Sequence, residues 1–392
     1  MKFRRFFIPF CIFLLMINVL LTVNSSLITK ADESTIETIL ENDLYANAAI
    51  LIDADSKRAL YDKNGYEQLP MASTTKIMTC LIALENSTPD TVVTFSGYAS
   101  SMPKVKLGAS KGSQFYMKDM LYSLMLESHN DTAVAIAEAV AGSEEEFAEL
   151  MNKRAKEIGA FDTNFVTANG LDAVEHYTTA YDLAIIAAEA IKNEEFVEII
   201  NTASHNFTEI TGNGSYSVSN KNAFLSMMEG AMGIKTGYTG KAGYCFVGAV
   251  KRNNKTLISV VLGSGWPPQK TYKWKDTIKL MNYGLDNFEH KILFSSIEDY
   301  KSLEVVDGIK NEVGTYINGN IGTLVSENDS VEYIYEFPDY IKAPVLENQV
   351  VGKVIIKING EEYATLNICT KEKVGKRDFR YCLKKMIKIM LF

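Results

Sequence analysis

Three short motifs gather the residues that could do chemistry. Ser73-Thr74-Thr75-Lys76 sets a hydroxyl and an amine three residues apart where the apolar run Thr74–Leu84 opens. That run has helical spacing, so one turn brings both groups to one face. Ser128-His129-Asn130 connects two further helical runs, Met117–Leu126 and Asp131–Ala141, and Lys235-Thr236-Gly237 stands just before an apolar strand, Gly243–Val250. A serine hydroxyl is a weak nucleophile and needs a base within hydrogen-bond reach. Lys76 can be that base only if burial and a second cation, such as Lys235, lower its pKa. A helix N-terminus behind Ser73 favours the negative charge that develops during attack.

Each short motif alone is weak: the first two types recur, and the third, Lys-Thr-Gly, occurs once. Ser101-Met102-Pro103-Lys104 repeats the first around a proline that enforces no helical geometry, and Ser204-His205-Asn206 and Ser326-Glu327-Asn328 repeat the second. The three motifs in this order, each at a helix or strand boundary, are what carries weight.

The elements that must position them follow from pattern. Ala48–Asp53 and Arg58–Tyr61 around a polar turn read as one hairpin, and Gly243–Val250 with Thr256–Leu262 around Asn253-Asn254 as another. Between them lie the helical runs named above, together with Glu144–Ile158 and Thr179–Lys192. A sheet built from both ends of a segment and enclosing helices predicts one α/β domain, 32–287. After about Phe288 the pattern changes to short strands, Tyr300–Val306, Gly314–Ile317, Gly322–Leu324, Val331–Phe337, Lys353–Ile358 and Glu362–Ile368. These predict a small all-β domain, 288–370.

Composition excludes disorder and collagen-like repeats: 47% of the 392 residues are hydrophobic and 22% charged. The net charge of −8 is unevenly spread. Residues 1–31 carry four basic and no acidic residues, 371–392 eight basic and two acidic, and 32–370 a net −18. An acidic body argues against a nucleic-acid groove. Met1–Arg5 followed by apolar Phe6–Val23 reads as an export signal spanning 1–31, with Thr29-Lys30-Ala31 as the cleavage site; an uncleaved anchor is the alternative. Removing it leaves 36 basic and 48 acidic residues, net −12. Phe379, Leu383, Met386, Ile387 and Met390 fall on one face of a helix within 371–392, with lysines opposite. Such a helix lies in an anionic membrane interface, or else is a frayed basic tail. This places the protein, exported, on the outer face of the cytoplasmic membrane. The five cysteines are scattered in apolar contexts and read as free thiols, and no histidine has metal-ligand spacing, so neither a metal nor a cofactor is expected.

The chain resembles the low-molecular-mass penicillin-binding D-alanyl-D-alanine carboxypeptidases, whose signature is Ser-x-x-Lys with these partner motifs. The likeness runs through Met71-Ala72-Ser73-Thr74-Thr75-Lys76-Ile77-Met78-Thr79 and Ser128-His129-Asn130-Asp131-Thr132-Ala133-Val134-Ala135. It continues in Asn169-Gly170-Leu171, His176–Ala180, Gly233–Thr239 with Ala242-Gly243-Tyr244, and in Ala343-Pro344-Val345 and Val350-Val351-Gly352 of the β segment. It implies a β-lactamase/transpeptidase-like α/β (α+β) catalytic domain with an all-β C-terminal domain. It implies that Ser73 attacks the penultimate D-alanine of a peptidoglycan stem peptide with Lys76 as base, and that Ser128 relays a proton to the leaving amine. Asn130 would hold the substrate amide and Lys76; Lys235, Thr236 and Gly237 would form the carboxylate-binding strand. The Ser73 and Tyr238 amides would make the oxyanion hole. β-Lactams would acylate Ser73. Two positions depart from the family pattern. His129 stands where many relatives have a small residue, which would narrow the cleft or add a titrating group; Lys221 stands where some place an arginine and would assist carboxylate binding.

Rival readings differ in kind. A class A β-lactamase shares the serine and lysines, but its Glu-x-x-Leu-Asn element is absent here. Gly108-Ala109-Ser110-Lys111-Gly112 matches a nucleophile elbow, yet Met102–Leu107 is a poor buried strand. A penicillin-binding sensor or scaffold that acylates without turnover needs no further motif.

Overall fold

The computed structural model describes Ile39 and residues 41–391, Asn213 excepted. The export signal read at 1–31 lies outside the described residues. A five-stranded sheet has the order β2-β1-β9-β8-β7: β1 Ala48–Asp53, β2 Ala59–Lys63, β7 Ala231–Thr239, β8 Gly243–Arg252 and β9 Lys255–Leu262. Every pairing in it is antiparallel. Both ends of the segment 48–262 thus meet in one sheet, with β1 against β9.

The sheet is buried on both faces, and alternation along each strand says what covers them. Ile50, Ile52, Val247, Ala249, Ile258 and Val260 share one large core with the helices that follow β2. Ala49, Leu51, Phe246, Val250, Leu257 and Val261 belong to a second core with Leu280, Met281 and Leu285. Those last three lie on a helix at Tyr272–Asn287, rich in lysine and tyrosine, which sequence patterning passes over. Numbered in chain order, the helices are α1 Lys76–Asn86, α2 Gly97–Ser101, α3 Met117–Leu126, α4 Asn130–Ala141, α5 Glu144–Ile158, α6 Ala180–Ala190, α7 Glu194–Asn201, α8 Tyr272–Asn287 and α9 Phe379–Leu391. The bounds of α1, α3, α4, α5 and α6 match the five periodic runs to within two residues.

Helix α1 is buried without a break from Lys76 to Ala83. A helix apolar all round must lie inside the domain, and it carries Lys76 in with it. The second Ser-x-x-Lys does nothing comparable: Ser101 is exposed at the end of α2 and donates to the Tyr98 carbonyl, and Lys104 is exposed in the following loop. Ser110 stands exposed in that loop, with no strand before it, so the nucleophile-elbow reading fails.

The C-terminal part forms a six-stranded sheet, β12-β14-β15-β11-β10-β13. Its strands are β10 Glu289–Val306, β11 Glu312–Val325, β12 Val331–Glu336, β13 Tyr340–Lys342, β14 Val350–Ile358 and β15 Glu361–Thr370. β10 and β11 make one long hairpin where sequence reading sees short separate strands. Register shifts between Ile292 and Phe294 and between Asp299 and Ser302 break the two-residue alternation by which a strand is read. The hairpin's far end joins the first sheet. Leu324 packs in the core with Leu60 and Leu285, and Arg58 donates to the Leu324 carbonyl (2.5 Å) and to Asp329 (2.8 Å). Burial pushes the Asp329 carboxyl up, but Arg58, the Ser326 amide and Asn359 outweigh it and hold it below its ordinary value. Cys80 and Cys245 are buried free thiols, Cys382 an exposed one.

Removing one partner of a buried pair leaves the other charge uncompensated. Arg58→Ala should therefore lower stability by about 3 kcal/mol in urea denaturation followed by tryptophan fluorescence; an unchanged midpoint contradicts a fastening role for this pair.

Candidate active site

The motifs of the sequence converge on one tight turn. Ser73 lies in the 3-10 turn Ala72–Thr75, which leads directly into α1. Ala72 holds φ = 49°, a strained conformation for a residue with a Cβ, and Thr74 and Thr75 bond back to the Met71 and Ala72 carbonyls at 2.6 and 2.9 Å. His176 buttresses this turn. The Val166 amide donates to its Nδ1 (2.9 Å), so the ring proton is on Nε2, which donates to Thr75 Oγ1 (3.0 Å). Burial lowers the His176 pKa to about 4, so the neutral tautomer that this chain of bonds needs persists across the working pH range.

Lys76 is fully buried and makes three contacts: Ser73 Oγ at 3.0 Å, Asn130 Oδ1 at 2.9 Å and the Asn169 carbonyl at 2.5 Å. A neutral amine has two N–H bonds and one lone pair. The amide and carbonyl oxygens only accept, so they take the two N–H bonds, and the remaining lone pair faces the one group that can donate, the Ser73 hydroxyl. Burial, and next the charge of Lys235, drive the Lys76 pKa well below its ordinary value; Asp131 and Glu144 oppose this from further off. Lys235, also buried, is lowered to about 7 by desolvation.

Two glycines let the walls close on the turn. At Gly237 on β7 a Cβ would lie 3.1 Å from the Ser73 amide nitrogen, and at Gly170 (φ = 81°) 2.1 Å from the Ala72 carbonyl oxygen. β7 is an edge strand, so its outer side past Thr236 and Gly237 is open to a ligand. Tyr238 is exposed and its ring leans on Tyr244, 4.7 Å between centroids.

Ser128, between α3 and α4, has φ = 67°, and its buried Oγ is without a hydrogen-bond partner among the described residues. A strained residue with an unsatisfied hydroxyl next to the Lys76–Asn130 pair fits a group waiting for substrate. Asn130 Nδ2 reaches the Pro103 carbonyl at 3.3 Å. The structure thus joins Ser73, Lys76 and Asn130 by direct bonds and sets Gly237 against them, with Lys235 acting through its charge.

Both departing positions are engaged with one carboxylate, Glu127, and the expectation of a titrating His129 is corrected. His129 is buried with both ring nitrogens engaged, Nδ1 with Ser123 (2.8 Å) and Nε2 near Glu127 (3.3 Å), so it adds no free titrating group to the cleft. Burial lowers its pKa. Lys221 pairs with the same Glu127 at 3.0 Å and serves as that carboxylate's counter-ion.

Sequence reasoning assigned no role to Asn169, His176, Asp131 or Glu144. Asp131 accepts from the Leu107, Gly108 and Thr132 amides, and Glu144 from the Ala168 amide and the Tyr98 hydroxyl. These bonds position the loops that carry Pro103 and Asn169. Asn169, Asp131 and His176 lie inside the stretches that carry the family likeness, and Glu144 does not. Their bonds run largely through backbone groups, which leave no pattern in sequence.

A family model described as D-alanyl-D-alanine carboxypeptidase matches residues 34–265, and one described as the C-terminal domain of penicillin-binding protein 5 matches 288–376. The D-alanyl-D-alanine carboxypeptidase DacF of Bacillus subtilis is 32% identical over 348 residues, covering 87% of this chain and 88% of the relative. Penicillin binding protein 5 from Haemophilus influenzae superposes with a TM-score of 0.72 at 28% identity, over 86% of this chain and all of the other. A mutant of the Streptomyces K15 DD-transpeptidase superposes at 0.58 and 29% identity, over 62% of this chain and 98% of the other.

Two outcomes follow from the geometry. In Gly170→Ala the new Cβ must push the Ala72 carbonyl aside, and labelling by fluorescent penicillin should slow about 100-fold; labelling at the wild-type rate contradicts the close approach. The penicillin acylation rate should rise with pH as Lys76 loses its proton, then fall as Lys235 loses its own near pH 7. Lys235→Arg, whose cation persists, should move the falling limb to higher pH; stopped-flow acylation across pH 5–10 checks both limbs.

Proposed function

The chain belongs to the D-alanyl-D-alanine carboxypeptidase family of penicillin-binding serine peptidases, and from that premise we propose that Ser73 is its nucleophile and Lys76 the base. The reaction is removal of the terminal D-alanine from peptidoglycan stem pentapeptides. The observation that carries the residue assignment is the hydrogen-bond set of Lys76, which suits a neutral amine whose lone pair faces Ser73 Oγ.

In the proposed cycle the Ser73 proton passes to Lys76 Nζ as Oγ bonds to the penultimate carbonyl carbon. The Ser73 and Tyr238 amides hold the oxyanion, beside the positive end of α1. The carbon–nitrogen bond then breaks, and the proton leaves Lys76 through the Ser128 hydroxyl to the departing D-alanine amine. Asn130 holds Lys76 and the substrate amide, while Lys235 and Thr236 attract the terminal carboxylate. In the second half, water gives a proton to Lys76 and its oxygen to the ester carbon, and Ser73 recovers its proton. β-Lactams present the same carbonyl and acylate Ser73 by the first half alone.

The rest of the reading concerns the ends and the domains. Residues 1–31 act as a cleaved export signal, 32–287 as the catalytic domain and 288–370 as a stalk. Residues 371–392 act as an anchor on the outer face of the cytoplasmic membrane. What supports the anchor is α9: Phe379, Leu383, Met386, Ile387 and Met390 are all exposed on it, alongside Lys384, Lys385 and Lys388. Helix α9 has 13 residues, too few to span a bilayer, which supports an interfacial mode for it.

With a stem pentapeptide, wild type should release free D-alanine and Ser73→Ala should release about 10⁴-fold less. No release by wild type sinks the assignment. Rapid turnover of penicillin favours the β-lactamase alternative, and stoichiometric acylation with no peptide turnover favours a sensor. Deleting 371–392 should move the protein to the soluble fraction with penicillin labelling intact.

A further inference from the structure

Beyond Ser73 the cleft has a second polar fixture. Gly237 and Gly170 lie against the nucleophile's turn from two different elements, β7 and the loop at 169–172. Two residues further along each, the elements meet: Thr239 Oγ1 donates to Asp172 Oδ1 at 2.8 Å. The Thr239 hydroxyl also accepts from the Ala242 amide at 3.0 Å, which commits its proton to the carboxylate. The turn that follows β7 is fixed in its own right, because Trp266 Nε1 donates to the Gly240 carbonyl at 3.0 Å. Asp172 is therefore held in place while staying exposed.

Its charge is left unanswered. A carboxylate accepts at about four lone-pair sites, and Thr239 occupies one. Among the described residues no ammonium or guanidinium lies within ion-pair distance of it. The ionisable groups at the nucleophile's turn are Lys76 and Lys235, so the cleft has a buried cationic end and, two residues past Gly237, the carboxylate of Asp172; Lys241, on the turn after β7, is exposed and is not among the ion pairs of the described residues.

That polarity orients an extended substrate. Its terminal carboxylate is drawn to the Lys235 end of β7, so the chain N-terminal to the scissile bond runs past Tyr238 toward Thr239. Strand residues advance about 3.3 Å each, so the residue before the two D-alanines comes level with Tyr238–Thr239, beside Asp172.

We propose that Asp172 is a specificity-determining residue that binds a free primary amine on the side chain of the stem residue preceding the two terminal D-alanines. The substrate class is then a stem peptide carrying a basic third residue, one whose side chain ends in an ammonium group. The inference rests on the carboxypeptidase reading above. A charged hydrogen bond formed by substrate adds to kcat/KM, and its loss is worth about tenfold.

The test compares two pentapeptides, one with lysine and one with Nε-acetyl-lysine at the third position, by D-alanine release from the full chain. Wild type should favour the free amine about tenfold in kcat/KM. Asp172→Asn, which keeps an acceptor for Thr239 and removes the charge, should bring the two rates together, while Asp172→Glu keeps the preference. The ratio within one preparation is the readout, so partial unfolding does not imitate the effect. A preference unchanged in Asp172→Asn, or none in wild type, overturns the proposal and leaves the reaction standing. No release from either peptide by wild type overturns the reading on which it rests.

Discussion

Two lysine side chains buried in one small region of a protein is the constraint around which the active site is built. An ammonium removed from water is costly, and two near one another cost more. That cost favours the neutral form of Lys76. Its surroundings are matched to the neutral form: two acceptor-only oxygens, from Asn130 and Asn169, and one hydroxyl, from Ser73. Protonated, it would have no lone pair for Ser73 and would repel Lys235. The same burial that would be a defect in a structural lysine suits this one to the proposed role of base.

The surrounding fold serves that arrangement. Helix α1 is apolar all round and so carries Lys76 into the interior, while the strained turn before it leaves Ser73 only half-buried at the surface of the cleft. The turn is held by the chain from the Val166 amide through His176 and Thr75 to the Ala72 carbonyl. Asp131 and Glu144 tie down the loops that supply further contacts. Strain at Ala72 and Ser128 is tolerated because these bonds over-determine the backbone around them.

Much of this was legible in the sequence. The motifs named Ser73, Lys76, Ser128, Asn130 and Lys235, and helical periodicity set α1 and α4 where the motifs needed them. The approach of Gly237 and Gly170 to the Ser73 turn was not legible, since it depends on how distant segments pack. His129 misled for a related reason: its position inside a motif suggested the cleft, whereas Ser123 and Glu127 claim both its nitrogens. The long β10–β11 hairpin was hidden by its own bulges, and α8 by its charged and aromatic residues. Local pattern conveys residue type and phase; contacts made through backbone amides, as by Asp131, leave no such trace.

The central claim is that Lys76 is neutral when Ser73 is attacked. The most direct measurement is an NMR titration of protein labelled at lysine Cε, with the Lys76 resonance identified by its loss in Lys76→Met. The account predicts that this resonance has already moved to its neutral position well below pH 10.5, the ordinary lysine value. A Lys76 resonance that titrates at or above 10.5 would contradict it and require another base for Ser73.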